Sequence, residues 1–285
     1  MSTGSPSGSG SGSWSDLGRP PLRPLALRRA LLVPGGLWTE LRIVEETGST
    51  NADAIAAARE GAPEGLVIVA ERQIAGRGRL GRQWESPARA GLALSVLLRP
   101  DIAPARLGWL PLLAGVALTE AVRRVSRVDA YLKWPNDLLL TGDRKTAGIL
   151  AEAADGAVVL GIGLNVTLRE EELPRPDATS LALAGAANTD RDPLLRALLR
   201  AIGEWYARFT EHGGDPEASG LREAYALHCG TIGRRVRVDL PGGTVLEGLA
   251  AGVDVDGRLQ VTDRFGTVRA VAAGDVVHAR LDTSG

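Results

Sequence analysis

The sequence predicts an α+β fold in which a large mixed domain is followed by a small all-β domain. Residues 25–230 alternate apolar strand-like segments with helical segments, which is typical of a mixed sheet with flanking helices. After Gly230 only short strand-like segments remain, separated by turns rich in glycine. A chain of 285 residues, 44% of them hydrophobic, is long enough for two domains with a sizeable core.

The first residues predict a flexible leader. Residues 1–18 contain 7 Ser and 5 Gly, a composition that does not form a core. We therefore expect a disordered segment over residues 1–24, followed by a short helix at about Leu25–Leu32 that Pro34 and Gly35 end. The leader lacks the pattern of a signal peptide, and the chain has no run of 18 apolar residues. A cytoplasmic protein without a membrane span is the expectation.

The larger domain is expected over residues 25–230. Ser49, Thr50 and Asn51 are typical N-cap residues and predict a helix over Ala52–Arg59. Apolar residues at helical spacing predict further helices over Leu107–Val125, Pro193–Thr210 and Leu221–His228. The predicted strands are Thr39–Val44, Leu66–Glu71, Leu92–Leu98, two short strands within 130–140, Ala147–Glu152 and Ala157–Leu164.

The smaller domain is expected over residues 231–285. Five short strands with regular turns predict a small β barrel. They are Arg235–Leu240, Thr244–Leu249, Arg258–Thr262, Thr267–Ala272 and Val276–Arg280.

The charge and the cysteine count exclude several functions. Lys+Arg total 33 and Asp+Glu 34, so the net charge of −1 argues against a surface that coats nucleic acid. The single cysteine, Cys229, cannot form an internal disulfide or a Cys-based zinc site. The three histidines are far apart in sequence, which disfavours a histidine metal centre.

A glycine- and arginine-rich segment is the first candidate for chemistry. Residues 76–81, GRGRLG, match the dinucleotide-binding pattern, but a strand rather than a helix is predicted after them. The alternative is an anion clamp, because guanidinium groups bind phosphate and carboxylate with two hydrogen bonds. A solvated loop is the plainer interpretation. Five arginines with one intervening acid favour a bound anion: Arg72, Arg77, Arg79, Arg82 and Arg89.

Three further motifs have a functional and a structural interpretation. In KWPND, residues 133–137, Asp137 can ligate Mg²⁺ or orient an amine, whereas a tight turn is equally consistent. Trp84 and Trp134 can stack on a ligand ring or fill the core. Lys145, at the start of a buried strand, needs an anionic partner unless it is exposed. The GSTN segment caps a helix and can also grip a polar ligand.

The order and spacing of these motifs resemble the biotin protein ligases. GSTN, Gln73 with AGRGRLGRQW, KWPNDL, KTAGIL and GIGLNV occur in this order, and the resemblance covers about residues 40–280. It implies a class II aminoacyl-tRNA synthetase-like mixed sheet with flanking helices and a C-terminal SH3-like β domain. It also implies a ligase that converts biotin and Mg-ATP to biotinyl-5′-AMP and then biotinylates one lysine of a biotin carboxyl carrier domain of acyl-CoA carboxylase.

The resemblance implies a role for each motif residue. Lys145, Arg79 and Asp137 would be catalytic, with Asp137 supporting Mg²⁺ or the incoming lysine and Lys145 also holding the biotin carboxylate. ATP or the adenylate would contact Arg82, Trp84, Asn136 and Asn165. Biotin would contact Ser49, Thr50, Asn51, Gln73, Arg77, Gly78, Arg79 and Lys145.

Two differences from the longer bacterial members of this family affect the expected function. Fewer than 40 residues precede the large domain, so we expect no helix-turn-helix, no DNA binding and no repressor activity. One additional residue near Gly142 lengthens the connection between Asp137 and Lys145. The alternatives are a lipoate or octanoate ligase of the same fold and a sensing module without catalysis. We expect a monomer or weak homodimer.

Overall fold

The computed structural model describes residues 18–240, 243–272 and 275–278, and within them the chain forms two sheets. The large sheet has the strand order β1-β2-β3-β7-β6-β5-β4. Only β1 and β2 pair in parallel, and the other neighbours are antiparallel. The strands are β1 (Glu40–Thr47), β2 (Leu66–Gln73), β3 (Gly91–Leu98), β4 (Ala130–Lys133), β5 (Asp137–Leu140), β6 (Arg144–Ala154) and β7 (Ala157–Asn165).

Helices cover both faces of this sheet. The helices are α1 (Pro24–Leu31), α2 (Thr50–Arg59), α3 (Trp109–Ser126), α4 (Arg191–Glu211) and α5 (Leu221–His228). Helices α3 and α4 pack together on one face, where they enclose the main core, and α2 packs on the opposite face. The Ser49 hydroxyl caps α2, and Asp190 caps α4. The mixed α+β fold class is confirmed, and most elements extend a few residues beyond their predicted bounds.

The helical stretch Pro104–Ser126 is long and apolar enough to cross a membrane, judged by its length and composition. Its main part, α3, lies in the middle of the protein, where Trp109, Leu113, Val116 and Ala117 have no exposed surface. Its apolar character is therefore explained by burial against the sheet and α4.

The second sheet follows α5 and is antiparallel throughout. Its strands are β8 (Arg235–Asp239), β9 (Val245–Val253), β10 (Leu259–Thr262), β11 (Val268–Val271) and β12 (Asp275–His278), in the order β11-β10-β9-β8-β12. Residues 241–242, between the first two predicted strands of this domain, and residues 279–280, at the end of the last one, lie outside the described residues.

Two buried tryptophans of the large domain hold the small sheet in place. The Trp134 indole Nε1 donates to the carbonyl of Gly257 at 3.2 Å, and its backbone N–H donates to the Thr231 hydroxyl at 3.0 Å. The Trp109 Nε1 donates to the carbonyl of Val255 at 2.9 Å. Trp134 is 1% exposed, so of its two predicted roles the structure supports the one in the core.

The expectation of a disordered leader is wrong for residues 18–24, the part of it that the structure describes. Residues 1–17 lie outside the described residues, but Arg19 and Leu22 are buried against the large domain. Leu22 donates its backbone N–H to Glu71 Oε1 at 2.7 Å. Composition predicted flexibility here, whereas a tertiary contact orders the segment.

Candidate active site

A cavity of about 660 Å³ lies over the large sheet, on the face that carries α2. It has the size of a small-molecule site and mixes polar with apolar lining atoms. All thirteen residues selected from the sequence line it: Ser49, Thr50, Asn51, Gln73, Arg77, Gly78, Arg79, Arg82, Trp84, Asn136, Asp137, Lys145 and Asn165.

The alternation of strand β7 creates the floor of this cavity. Its even-numbered residues 158–164 are apolar and join the main core under α3 and α4. The opposite face carries Gly161, Gly163 and Asn165, all of which line the cavity. A Cβ atom on Gly161 would lie 2.1 Å from Asn51 Oδ1, and one on Gly163 would lie 2.3 Å from the Trp84 ring. A side chain at either position would displace Asn51 or Trp84, which makes glycine the best fit there. The floor extends about 13 Å from residue 161 to residue 165.

One end of the floor is closed by a network of buried hydrogen bonds. Thr50 donates to Gln73 Oε1 from its backbone N–H at 2.8 Å and from its hydroxyl at 3.0 Å. The Ser95 hydroxyl lies 2.7 Å from Thr50 Oγ1 and 2.6 Å from Asn51 Oδ1. Asn51 Nδ2 donates to Glu152 Oε2 at 2.7 Å. This closed end, defined as Thr50, Asn51, Gln73 and Ser95, is thus rigid before a ligand binds.

An ion pair lies on the wall of the cavity. Lys145 Nζ is 2.6 Å from Asp137 Oδ1, and both side chains are about one-fifth exposed. Lys145 Nζ also lies 5.9 Å from the centre of the Trp84 ring. The additional residue near Gly142 is accommodated in the turn between β5 and β6, so Asp137 and Lys145 remain in contact. The anion that Lys145 was expected to need is therefore Asp137 in this structure.

The turn before β5 is anchored to β6. Ile149 donates its backbone N–H to the Asn136 carbonyl at 2.9 Å, and Asn136 Nδ2 donates back to the Ile149 carbonyl at 2.9 Å. These bonds place Asn136 at the cavity. Asp137, the first residue of β5, also lies there, because β5 pairs with β6 in antiparallel fashion from this residue on.

The arginine loop, residues 76–84, forms a short hairpin above the cavity. Gly78 N–H donates to the Arg82 carbonyl at 2.7 Å, and Trp84 N–H donates to the Gly76 carbonyl at 2.9 Å. A single 3₁₀ turn occupies Arg79–Gly81, so the helix that a dinucleotide-binding motif requires is absent from this described segment. Arg79 Nη1 donates to Asn136 Oδ1 at 3.4 Å and connects the loop to the opposite wall.

The other end of the floor is bounded by the segment after β7. Asn165 Nδ2 donates to the Thr179 carbonyl at 3.0 Å, and the Lys145 backbone pairs with residues 177 and 179. Pro174, Arg175 and Asp177 also line the cavity here. Burial opposes ionisation of Asp177, but the hydrogen bond and charge of Arg175 outweigh it and lower the pKa of this carboxyl.

Several contributors to the site were missed in the sequence, among them Ser95, Gly161, Gly163, Arg175 and Asp177. Two glycines at alternate positions of an apolar strand signal a close approach, and a lone serine within LALSVLL signals a polar partner. Arg175 and Asp177 carry no comparable signal, because a loop brings them to the cavity.

Among the described residues, no group of three or more His, Cys, Asp or Glu is arranged to hold a metal ion. A divalent cation at this site would need ligands from a substrate, as Mg²⁺ commonly takes from phosphates.

Comparison with known proteins adds to this geometry. Residues 47–168 match the Biotin/lipoate A/B protein ligase family, and residues 231–279 match the Biotin protein ligase C terminal domain. A Biotin--[acetyl-CoA-carboxylase] ligase of Mycobacterium tuberculosis is 47% identical over 268 residues, which cover 92% of this chain and 97% of the relative. A Bifunctional ligase/repressor BirA of Escherichia coli is 32% identical over 249 residues, 85% of this chain and 74% of the relative.

Solved structures agree in fold. The biotin protein ligase from Aquifex aeolicus in complex with biotin and ATP has a TM-score of 0.71 at 28% identity, covering 86% of this chain and all of that chain. The Leishmania major biotin protein ligase in complex with biotinyl-5-AMP has a TM-score of 0.57 at 25% identity, covering 82% of this chain and 99% of that chain.

Proposed function

This chain belongs to the biotin protein ligase family, and from that premise we propose that its cavity makes biotinyl-5′-AMP from biotin and ATP. The same site then transfers the biotinyl group to a lysine of the carrier domain of an acyl-CoA carboxylase. The observation that carries the proposal is the Lys145–Asp137 pair on the wall of the cavity. The closed end lies on one side of this pair, and the end beside the segment after β7 is called the open end.

The closed end suits the ureido ring of biotin. That ring is small, neutral and able to donate and accept hydrogen bonds, so it needs fixed polar partners in a buried place. Ser49, Thr50, Asn51 and Gln73 offer such groups at the start of α2 and the end of β2. The valeryl chain then runs beside the Trp84 ring, which packs directly on Gly163, and its carboxylate reaches Lys145.

In the first step a biotin carboxylate oxygen attacks the α-phosphorus of ATP. A bond forms between this carboxylate oxygen and the α-phosphorus, and the bond from the α-phosphorus to the oxygen that bridges the α- and β-phosphates breaks, releasing pyrophosphate. Lys145 neutralises the carboxylate and the negative charge that grows around phosphorus in the transition state. Arg77, Gly78 and Arg79 cover biotin and the phosphate, and Arg82 binds the phosphates.

The nucleotide occupies the open end. Trp84 packs on its adenine side, with Asn136 nearby, and Asn165 lies near the ribose or base. Asp137 is the protein carboxylate that would contact a Mg²⁺ ion held by the phosphates of ATP. When bound, the cation would neutralise phosphate charge.

In the second step the carrier lysine attacks the carbonyl carbon of the mixed anhydride. The new amide bond forms, the bond to the phosphate oxygen breaks, and AMP leaves while the amine loses its proton. Asp137 orients the incoming ammonium or amine, because it is a carboxylate next to the reacting carbon.

The test is incubation of the purified chain with ATP, labelled biotin and a carrier domain. We expect label on the carrier that depends on ATP, and pyrophosphate release that depends on biotin. A second reaction with lipoate tests the lipoate ligase alternative. That alternative would be favoured if lipoate inhibits the labelling of the carrier as strongly as unlabelled biotin does. Transfer of lipoate itself to the carrier would also favour it.

A further inference from the structure

The segment before α1 lies against the loop that bounds the open end of the cavity. This segment, residues 19–23, is called the strap here. Arg19 is 8% exposed and Leu22 is 4% exposed, although both belong to a stretch of prolines and arginines without regular structure. Its order therefore comes from tertiary contacts.

The strap is attached to the body of the large domain by a buried ion pair. Arg191 Nη1 lies 2.5 Å from Glu71 Oε2, and both side chains are about 5% exposed or less. The other oxygen of Glu71 accepts the Leu22 N–H, and Arg191 Nη2 donates to the Pro20 carbonyl at 2.7 Å. These bonds fix the backbone on both sides of Leu22.

From this fixed backbone Arg19 reaches the loop of residues 167–178. Its guanidinium donates to Glu172 through two nitrogens, with Nη1 at 3.1 Å from Oε1, and Nη2 also donates to the Thr167 carbonyl at 2.8 Å. Glu172 accepts the Arg169 N–H at 2.9 Å, which closes the 3₁₀ turn Glu170–Glu172. The Arg19 hydrogen bond is the main reason that the pKa of Glu172 is lowered.

The far end of the loop is tied to the strand that carries Lys145. Lys145 N–H donates to the Asp177 carbonyl at 2.8 Å, and Arg144 Nε donates to the Ala178 carbonyl at 3.0 Å. Arg144 also pairs with Glu170 at 2.9 Å, but that pair is more exposed than the one with Arg19. Between these anchors the loop presents Pro174, Arg175 and Asp177 to the cavity.

We propose that Arg19 is a positioning residue, which holds the 167–178 loop over the open end of the cavity and so retains the acyl-adenylate until transfer. The inference rests on the proposed function. A loop that opens freely lets a bound intermediate dissociate, and an anchored loop slows this step. Biotin alone lies at the closed end, so its binding does not depend on this loop.

The test compares Arg19→Met, Glu172→Gln and Arg19→Lys with the matched control Arg23→Met. Arg23 belongs to the same strap but pairs with Asp190, the N-cap of α4, and with Asp192 in the first turn of α4 rather than with the loop. Dissociation of labelled biotinyl-5′-AMP should be about tenfold faster in Arg19→Met, as loss of charge-assisted hydrogen bonds implies. The dissociation rate of Arg19→Lys should lie between those of Arg19→Met and the wild type. The dissociation rate of Arg23→Met should match that of the wild type.

Two further measurements keep the outcomes distinct. Biotin affinity without ATP should change less than about twofold in Arg19→Met, and hydrogen exchange of amides 167–178 should rise in that variant with or without ligand. Unchanged adenylate dissociation, unchanged loop exchange or an equal loss of biotin affinity would each overturn the proposal. A wild-type chain that makes no biotinyl-5′-AMP would instead refute the proposed function, and with it the retention of the intermediate.

Discussion

The closed end of the cavity and the arginine loop above it are built in opposite ways. Thr50, Asn51 and Ser95 are 3%, 7% and 0% exposed, and each is bonded within one network. In the arginine loop, Arg77 and Arg82 are exposed, and Leu80 is 73% exposed with a φ of +57°. One region is fixed by burial, whereas the other projects into solvent.

This difference separates recognition from retention. A buried, bonded set of polar groups binds its ligand without ordering itself first, so its specificity is set in advance. We expect the exposed arginine loop to gain further contacts from an anion, so substitutions there should alter the response to phosphate. Substitutions at the closed end should therefore affect biotin binding, and substitutions in the loop should affect the nucleotide and the intermediate.

The largest effect is expected at Lys145, between the two regions. Lys145→Ala removes the positive charge next to the reacting carboxylate and leaves Asp137 without its 2.6 Å partner. Biotin-dependent pyrophosphate release should fall about 100- to 1,000-fold, the range for loss of one group that stabilises transition-state charge. Thermal unfolding of the variant serves as the control for folding. A wild-type rate of pyrophosphate release would remove Lys145 from the mechanism.

The next effect concerns the floor of the closed end. In Gly161→Ala the new Cβ would lie 2.1 Å from Asn51 Oδ1, so Asn51 must shift and break its network. Biotin affinity, measured by calorimetry without ATP, should fall by up to about 100-fold, because buried polar groups left unpaired cost about 1–3 kcal/mol. Gly252→Ala is the matched control, because it is also in a strand and its Cβ would meet nothing closer than 3.6 Å. Equal affinities of the two variants would show that the closed end is adaptable.

The site residues that could be predicted from the sequence differ from those that were missed. The thirteen selected residues lie in five compact motifs, and each motif is a turn or an element end that faces the cavity. Ser95 and Gly161 contribute to the site only because β3 and β7 pair in the register that places Ser95 opposite Gly161. Local spacing does not fix that register. The strap was missed for the same reason, since Glu71 and Arg191 are 120 residues apart.

A smaller effect is expected at Ser95. Ser95→Ala removes the hydroxyl shared by Thr50 and Asn51 and leaves buried acceptors with one partner fewer. The loss of one buried hydrogen bond is worth about 1–2 kcal/mol, so biotin affinity should fall by about tenfold. ATP binding should be unchanged, and an equal loss of both affinities would contradict the division between the two regions.

The smallest effect on binding, and the most specific to the loop, is expected for Arg79→Gly. Arg79 Nη1 donates to Asn136 Oδ1 on the opposite wall at 3.4 Å in a partly exposed place, and a contact of this kind corresponds to at most about a fivefold effect. Biotin affinity should fall by no more than about this factor, whereas the adenylate should escape faster and label amines in solution. The chain itself is a poor reporter, since its two lysines, Lys133 and Lys145, both line the cavity. A lysine-rich bystander protein should therefore be added, with Arg99→Gly, outside the cavity, as the control. If the variant labels the bystander no more than the wild type does, the loop does not retain the intermediate, and retention depends on the 167–178 loop alone.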